Sequence, residues 1–242
     1  MTIKLFEVGG SLRDELMGID NPPDRDFCAE SPEGWEALLA WCHTNMERVF
    51  LVTPEFFTVR GKMSNGTAID IVMCRKDGPS SDGRHPDNVE PGTLLDDLAR
   101  RDFTVNALAR EVNPKTLEPI HITFFDPFEG FKDLENSALS CVGNAEERMK
   151  EDWLRLLRAA RFIIIKNLEP DGDLDLLLNT NDSWRSMINS VSAERIRGEL
   201  TKMFKHNTVD TLEFLTNCCS ASTLRILFTH TNIWLKPTLE KK

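Results

Sequence analysis

Two glycines followed by a helix start, and shortly after by two aspartates one residue apart, constrain this chain more than any other feature: Val8-Gly9-Gly10-Ser11-Leu12-Arg13-Asp14, then Asp24-Arg25-Asp26-Phe27. Glycine lets the backbone turn so that N–H groups point at an anion, and the following helix adds the positive end of its dipole. On a strand successive side chains alternate faces, so Asp24 and Asp26 project together while Arg25 points away. The first half suits a triphosphate and the second a divalent metal. Singly, the glycines also suit a tight turn and the acidic pair a solvated loop; their adjacency favours the joint site.

The 242 residues can form one large domain or two small ones, with 40% hydrophobic and 28% charged content typical of a globular chain. No apolar run reaches membrane-spanning length, and the N-terminus lacks the basic and apolar regions of a signal peptide. The expectation is a cytoplasmic protein with no membrane partner. Six cysteines, at positions 28, 42, 74, 141, 218 and 219, show neither a C-x-x-C pair nor zinc-ligand spacing, which predicts reduced, structural thiols. The five histidines are equally scattered and take surface or packing roles. A net charge of −10 argues against indiscriminate nucleic-acid binding. Its distribution is uneven: residues 1–138 hold 14 Lys and Arg against 25 Asp and Glu, residues 139–242 hold 15 against 14. Any polyanion is expected along the second half.

Ile3-Lys4-Leu5-Phe6-Glu7-Val8 reads as a strand entering the glycine turn, with Ser11 capping a helix that Gly18 ends. Residues 24–29 read as a second strand. Ser31-Pro32-Glu33 supplies a helix cap, an N1 proline and an acidic first turn, ahead of a buried face of Trp35, Leu38, Leu39 and Cys42. Residues 49–59 and 68–73 read as strands of a hairpin with Asn65-Gly66 at the turn. Asp70, inside the second apolar run, is expected to be a buried carboxylate needing a partner. A metal shared with Asp24 and Asp26 would supply one; a structural carboxylate is the alternative.

Residues 76–92 are rich in Gly, Pro, Ser and Asp and predict a mobile loop. A helix is expected over 94–110 and a strand over 120–125. Beyond Asn144 strand signals fade, apart from the ambiguous Phe162-Ile163-Ile164-Ile165. Leu154, Leu157 and Ala160 make an apolar stripe beside Glu151, Asp152, Arg155 and Arg158, and Ser192 opens another helix. A composition shift near residue 140 sets the expected boundary between a first domain, 1–140, and a helical second, 141–242.

Three carboxylates, Asp24, Asp26 and Asp70, could hold two Mg²⁺ ions, which prefer oxygen ligands and complete their shells with water and substrate phosphates. Further on, Asp152 and Arg155 are three apart, so on a helix they share a face and offer an acceptor beside a fork of donors. Cytosine and adenine each present an amino donor next to a ring-nitrogen acceptor, which such a pair matches; uracil and guanine present the opposite pattern. An i,i+3 ion pair is the structural alternative.

Together the motifs resemble the class II tRNA nucleotidyltransferases, the bacterial-type CCA-adding enzymes and their poly(A) polymerase relatives in the polymerase-beta nucleotidyltransferase superfamily. They run in the family's order: Gly9-Gly10-Ser11-Leu12-Arg13-Asp14 with Asp24-Arg25-Asp26; Arg100-Arg101-Asp102-Phe103-Thr104-Val105-Asn106-Ala107; Asp126-Pro127-Phe128-Glu129-Gly130-Phe131-Lys132-Asp133-Leu134; and Glu151-Asp152-Trp153-Leu154-Arg155-Leu156-Leu157-Arg158-Ala159-Ala160-Arg161-Phe162. A weaker fifth is Ser192-Ala193-Glu194-Arg195-Ile196-Arg197-Gly198-Glu199-Leu200. The resemblance implies an α+β fold, a polymerase-beta-like nucleotidyltransferase head with a small mixed sheet followed by an α-helical neck. It implies Asp24 and Asp26 as metal ligands, and Gly9, Gly10, Arg13, Arg101, Asp102, Asn106 and Arg158 at the nucleotide. It implies Asp152 with Arg155 as an amino-acid template that selects the base. The implied reaction adds C and A to a tRNA 3′ end from CTP and ATP with release of pyrophosphate. A-only, CC-only or poly(A) addition to another RNA 3′ end stays open, as does a noncatalytic RNA-binding remnant. Trp153 stands where family members usually have proline, and the strand Phe27-Cys28-Ala29-Glu30 is less apolar than theirs. The resemblance fades after about residue 205, short of the body and tail of the family's members. Residues 208–235 are expected to be a reduced body, and the grip on RNA, or a protein partner supplying it, is not identified.

Overall fold

A six-stranded mixed sheet organises the first half of the chain and helices alone organise most of the second. The computed structural model describes residues 3–19, 25–78 and 88–232. They form two compact units, one ending at Glu135 and the other beginning at Asn136. Asp24 lies outside the described residues, as do residues 79–87 of the expected mobile loop.

The first unit runs β1 (Lys4–Val8), α1 (Gly10–Leu16), β2 (Asp26–Glu30), α2 (Trp35–Asn45), β3 (Met46–Thr53), β4 (Thr58–Met63), β5 (Ala68–Met73), β6 (Arg75–Asp77), β7 (Val89–Pro91), α3 (Leu94–Ala99), β8 (Ala109–Val112) and α4 (Gly130–Glu135). The sheet order is β3-β4-β5-β2-β1-β8; β2 and β5 are parallel and every other pair antiparallel. Period-2 alternation puts Leu5, Phe27, Ala29, Val59, Ile69, Ile71 and Met73 in one core with Leu38 and Cys42 of α2. Each fully buried Leu, Ile or Phe there contributes roughly 1.5–3 kcal/mol. The alternate positions, among them Asp26, Asp70 and Arg60, belong to the opposite face. A short antiparallel ribbon pairs β6 with β7, so both margins of the expected loop are ordered strands.

Several local expectations are corrected. The cap of α1 is Gly9, with φ +78°, and Ser11 is buried inside the helix. The cap of α2 is Gly34, because Ser31 closes a turn first: its carbonyl accepts from the Gly34 N–H at 2.9 Å and its hydroxyl donates to the Gly34 carbonyl at 2.7 Å. The run 49–59 is two strands split at Pro54, which starts a 3-10 turn ending at Phe57 with φ +53°. The helix expected over 94–110 stops at Ala99. Asp102 then accepts from the Phe103 N–H and the Asn106 side chain, both at 2.9 Å. This local bonding competes with the helix and leaves residues 109–112 to pair with β1. The strand expected over 120–125 reduces to a bridge between Phe125 and Ala109.

The second unit contains β9 (Ala138–Leu139), α5 (Ala145–Glu151), α6 (Leu154–Lys166), β10 (Glu169–Pro170), α7 (Gly172–Leu178), α8 (Asn181–Ser190), α9 (Ala193–His206), α10 (Thr208–Cys218) and α11 (Ala221–Thr231). Its two strands form a two-residue parallel pair, and the ambiguous run 162–165 is helical. Leu156, Leu157, Phe162, Trp184, Met187, Leu200 and Phe204 are buried. Asn144, Asp171, Asn207 and Ser220 cap their helices with side-chain acceptors. Among the described residues no helix is long and apolar enough to cross a membrane.

Candidate active site

Strand registers line up one row across the sheet. Val8 faces Asp26, Asp26 faces Asp70, Asp70 faces Arg60, and Arg60 faces Leu51. Neighbouring strands lie about 4.8 Å apart, so Asp26 and Asp70 leave the same face of the sheet side by side. Asp26 is exposed. Asp70 is half-exposed rather than buried, because its alternation places it opposite the α2 core. Arg60 holds both its oxygens, Nε at 2.6 Å and Nη2 at 2.5 Å. The partner expected for Asp70 is therefore present as a guanidinium.

The row ends at Val8, where the chain turns through the glycines. Gly9 adopts φ +78°, which strains any residue with a side chain, and a Cβ there would lie 2.7 Å from Arg101 Nη1 and push the guanidinium aside. Arg13, buried on α1, donates from Nη1 to Asn106 Oδ1 at 2.5 Å and from Nε to Asp14 at 2.8 Å. Asn106 donates onward to Asp102. Arg101 reaches the Asn106 carbonyl at 3.3 Å and buried Asp97 at 3.2 Å. The structure thus brings Gly9, Gly10, Arg13, Arg101, Asp102 and Asn106 into one corner beside the carboxylate row. Asp126 caps α4 by accepting from the Gly130 and Phe131 N–H groups, and Asp133 accepts from Thr104 at 2.5 Å. Those bonds fix the turn that carries Asn106.

Arg25 does not stand free on the far face. Its guanidinium forms two 2.8 Å bonds to Glu7 and one to the Leu117 carbonyl. Glu7 is 2% exposed and also accepts from Arg110 at 3.1 Å, which reaches Glu15 as well. Burial alone would raise the Glu7 pKa, but the bonds and charge of Arg25, with Arg110, hold it below the ordinary carboxylate value. The segment bearing Asp26 is thereby tied to β1.

In the second unit Asp152 and Arg155 do not share one helix. Asp152 ends α5 in extended conformation and its side chain accepts from the Leu154 N–H at 3.1 Å, acting as the joint between α5 and α6. Arg195 grips both its oxygens, at 3.2 and 2.6 Å. Arg155, in the first turn of α6, donates to the Arg148 carbonyl and to Glu151. Arg158 lies one turn on, its guanidinium 5.9 Å from the Phe162 ring centroid. The local reason is helix termination: an aspartate that bonds the N–H two residues on caps more readily than it continues a helix.

Sequence reasoning missed Glu7, Arg60 and Arg195. A signal existed for Arg60, since a hairpin whose three-residue loop, 64–66, contains Asn65-Gly66 pairs position 60 with 70. Glu7 inside an apolar strand signalled a buried carboxylate, and unlike Asp70 it is one. Nothing local pointed from Arg195 to Asp152, 43 residues away.

Residues 5–140 match the model of the poly A polymerase head domain. A CCA-adding enzyme of Ligilactobacillus salivarius is 32% identical over 202 residues, covering 82% of this chain and 45% of that relative. One of Listeria monocytogenes is 30% identical over 205 residues, covering 83% and 46%. The CCA-adding enzyme of Bacillus stearothermophilus, solved in complex with CTP, is 26% identical with a TM-score of 0.69, covering 88% of this chain and 47% of that one. The chain spans about half the length of the curated relatives it matches. The head-domain match takes in more than half of the sequence, and its glycine and aspartate motifs meet in one corner of the sheet: the chain belongs to the poly A polymerase head-domain family.

Proposed function

We propose that the chain adds C and A to tRNA 3′ ends from CTP and ATP without a nucleic-acid template, releasing pyrophosphate. Head and neck would divide as residues 1–140 and 141–242. The observation that carries this reading is the juxtaposition of the Asp26–Asp70 row with the corner formed by Gly9, Arg13 and Arg101. Relatives named CCA-adding enzymes, one of them solved with CTP, support the substrate class.

The donors suit a hard divalent cation: they are carboxylate oxygens on adjacent strands, with none of the sulfur or imidazole a softer metal prefers. Asp24 and Asp26 would hold Mg²⁺, and Asp70 would join them by giving up Arg60. Bound there, Mg²⁺ would neutralise charge on the phosphates and activate the attacking hydroxyl. The remaining work falls to this chain's side chains. The first-turn N–H groups of α1 have no intrahelical partner and, with Arg13 and Arg101, receive the triphosphate. Asp102 and Asn106 orient the sugar. The RNA 3′ oxygen bonds to the α-phosphorus as the bond to the pyrophosphate oxygen breaks. Asp152, held by Arg195, accepts from the base amino group, and Arg155 donates to the ring nitrogen. Arg158 adds charge at the nucleotide.

The test is incorporation of labelled CTP and ATP into a tRNA ending before CCA, with pyrophosphate release measured alongside. Wild type should incorporate both labels and Asp26→Ala neither. Equal behaviour of the two proteins defeats the enzyme reading, and incorporation of ATP alone reassigns the product.

A further inference from the structure

Beyond Asp70 the row continues into a groove that the nucleotide corner leaves unused. Its volume is about 620 Å³, and Arg25, Asp26, Phe50, Arg60, Ala68, Ile69 and Asp70 line it. That volume lies within the range of small-molecule sites, about 300–1,000 Å³. All these residues belong to the first unit.

Phe50 is the unusual member. Across β3 and β4, Val49 faces Gly61 and Leu51 faces Arg60, so two steps on β3 match one on β4 and Phe50 is the extra residue of a β-bulge. Bulges re-aim a side chain and recur next to active sites. Here the bulge leaves a phenyl ring 49% exposed at the groove, with the Arg48 guanidinium 5.6 Å from its centroid. Arg60, 57% exposed, stands beside it with its guanidinium on Asp70.

The order along the row gives the groove its role. In-line transfer puts the attacking oxygen and the leaving pyrophosphate on opposite sides of the α-phosphorus. Gly9 and Gly10 lie past Val8 on the β1 side of Asp26, whereas the groove extends on the β5 and β4 side. A triphosphate at the glycines leaves the groove flank to the acceptor. An exposed phenyl ring offers any base a stacking surface, and Arg60 can exchange Asp70 for a backbone phosphate once a cation neutralises that carboxylate.

We propose that this groove holds the 3′-terminal nucleotide of the RNA acceptor, its base stacked on Phe50 and its phosphate met by Arg60. The proposal rests on the RNA-extension reading above, and its test separates the two. Affinity for a fluorescent tRNA ending before CCA is measured by anisotropy without nucleotide, for wild type, Phe50→Ala, Phe50→Leu and Phe50→Trp. The same tRNA with an abasic last position serves as the matched probe. Extension kinetics follow with the intact tRNA and CTP. Stacking by one base predicts about 5- to 150-fold weaker binding for Phe50→Ala. Phe50→Leu, which keeps apolar bulk without a π face, should follow it, and Phe50→Trp should restore affinity. The abasic tRNA should bind all four proteins alike, and the KM for CTP should not change. Affinity within twofold across the series, equal losses on the abasic probe, a rise in the KM for CTP instead, or a wild type that binds no tRNA overturns the proposal. Binding that follows Phe50 without extension by wild type upholds the groove and defeats the RNA-extension reading.

Discussion

Replacing Glu7 by Gln tests the ion network that ties the aspartate segment to the sheet. Glu7 is 2% exposed and is the acceptor for both Arg25 and Arg110. Removing one charge from a buried pair costs about 3–5 kcal/mol because the other is left uncompensated. Here the Arg25 side chain is 32% exposed and can recover hydration, Arg110 keeps Glu15, and the Gln carbonyl retains one acceptor. These lower the cost to about 2–3 kcal/mol, or roughly 4–12 °C in Tm for a chain of this size. The sign with pH follows from the depressed Glu7 pKa. A carboxylate whose folded value lies below its unfolded one stabilises fully above the unfolded value, 4.5, and loses that stabilisation as pH falls through the folded value. The gap between wild type and Glu7→Gln should therefore be full at neutral pH and close below about pH 4.5. Urea titrations followed by tryptophan fluorescence at several pH values measure it. A gap under about 0.5 kcal/mol at pH 7, the scale of an ordinary surface substitution, or one that does not narrow in acid, refutes the reasoning.

Gly9→Ala meets both a positive φ and the Arg101 guanidinium; backbone strain of about 1–3 kcal/mol is expected, with CTP affinity reduced at least about tenfold, measured by calorimetry. Arg195→Ala releases the Asp152 carboxylate from its two-point hold. The preference for CTP over UTP, as a ratio of kcat/KM, should fall roughly tenfold, the scale of about 1.4 kcal/mol, and an unchanged ratio would count against base selection by Asp152. Burial pushes the Cys42 and Cys219 thiols up to about 12 and Cys218 up to about 11. With so little thiolate at pH 8, Ellman's reagent should modify them on the order of a hundredfold more slowly in the native protein than in urea.

Chemistry local to a few residues was legible in the sequence. The glycine turn, the strand bearing Asp26 and the hairpin at Asn65-Gly66 follow from backbone permissiveness and period-2 alternation, and they position most of the first unit's site. Less legible were features set by partners far along the chain. Asp70 in an apolar run looked buried because its strand was read alone; in the sheet its face is the open one, and Arg60 answers it. The helix expected over 94–110 carried adequate propensity, but Asp102 and Asn106 bond locally and the last residues find better partners in β1. Asp152 and Arg155 had the spacing of a helical pair, yet Asp152 ends α5 and accepts from the Leu154 N–H at the start of α6 instead. In each case a side chain that bonds its own backbone, or a pairing across many residues, outweighed local periodicity.

The most direct measurement is sequencing of the 3′ ends produced when wild-type protein meets a tRNA ending before CCA, with all four nucleoside triphosphates and Mg²⁺ present. The proposed transfer at the Asp26–Asp70 row, with the base chosen by Asp152 and Arg155, predicts ends extended by C and A only, reaching CCA, and no extension by Asp26→Ala. Unextended ends, or U and G added as readily as C and A, would contradict it.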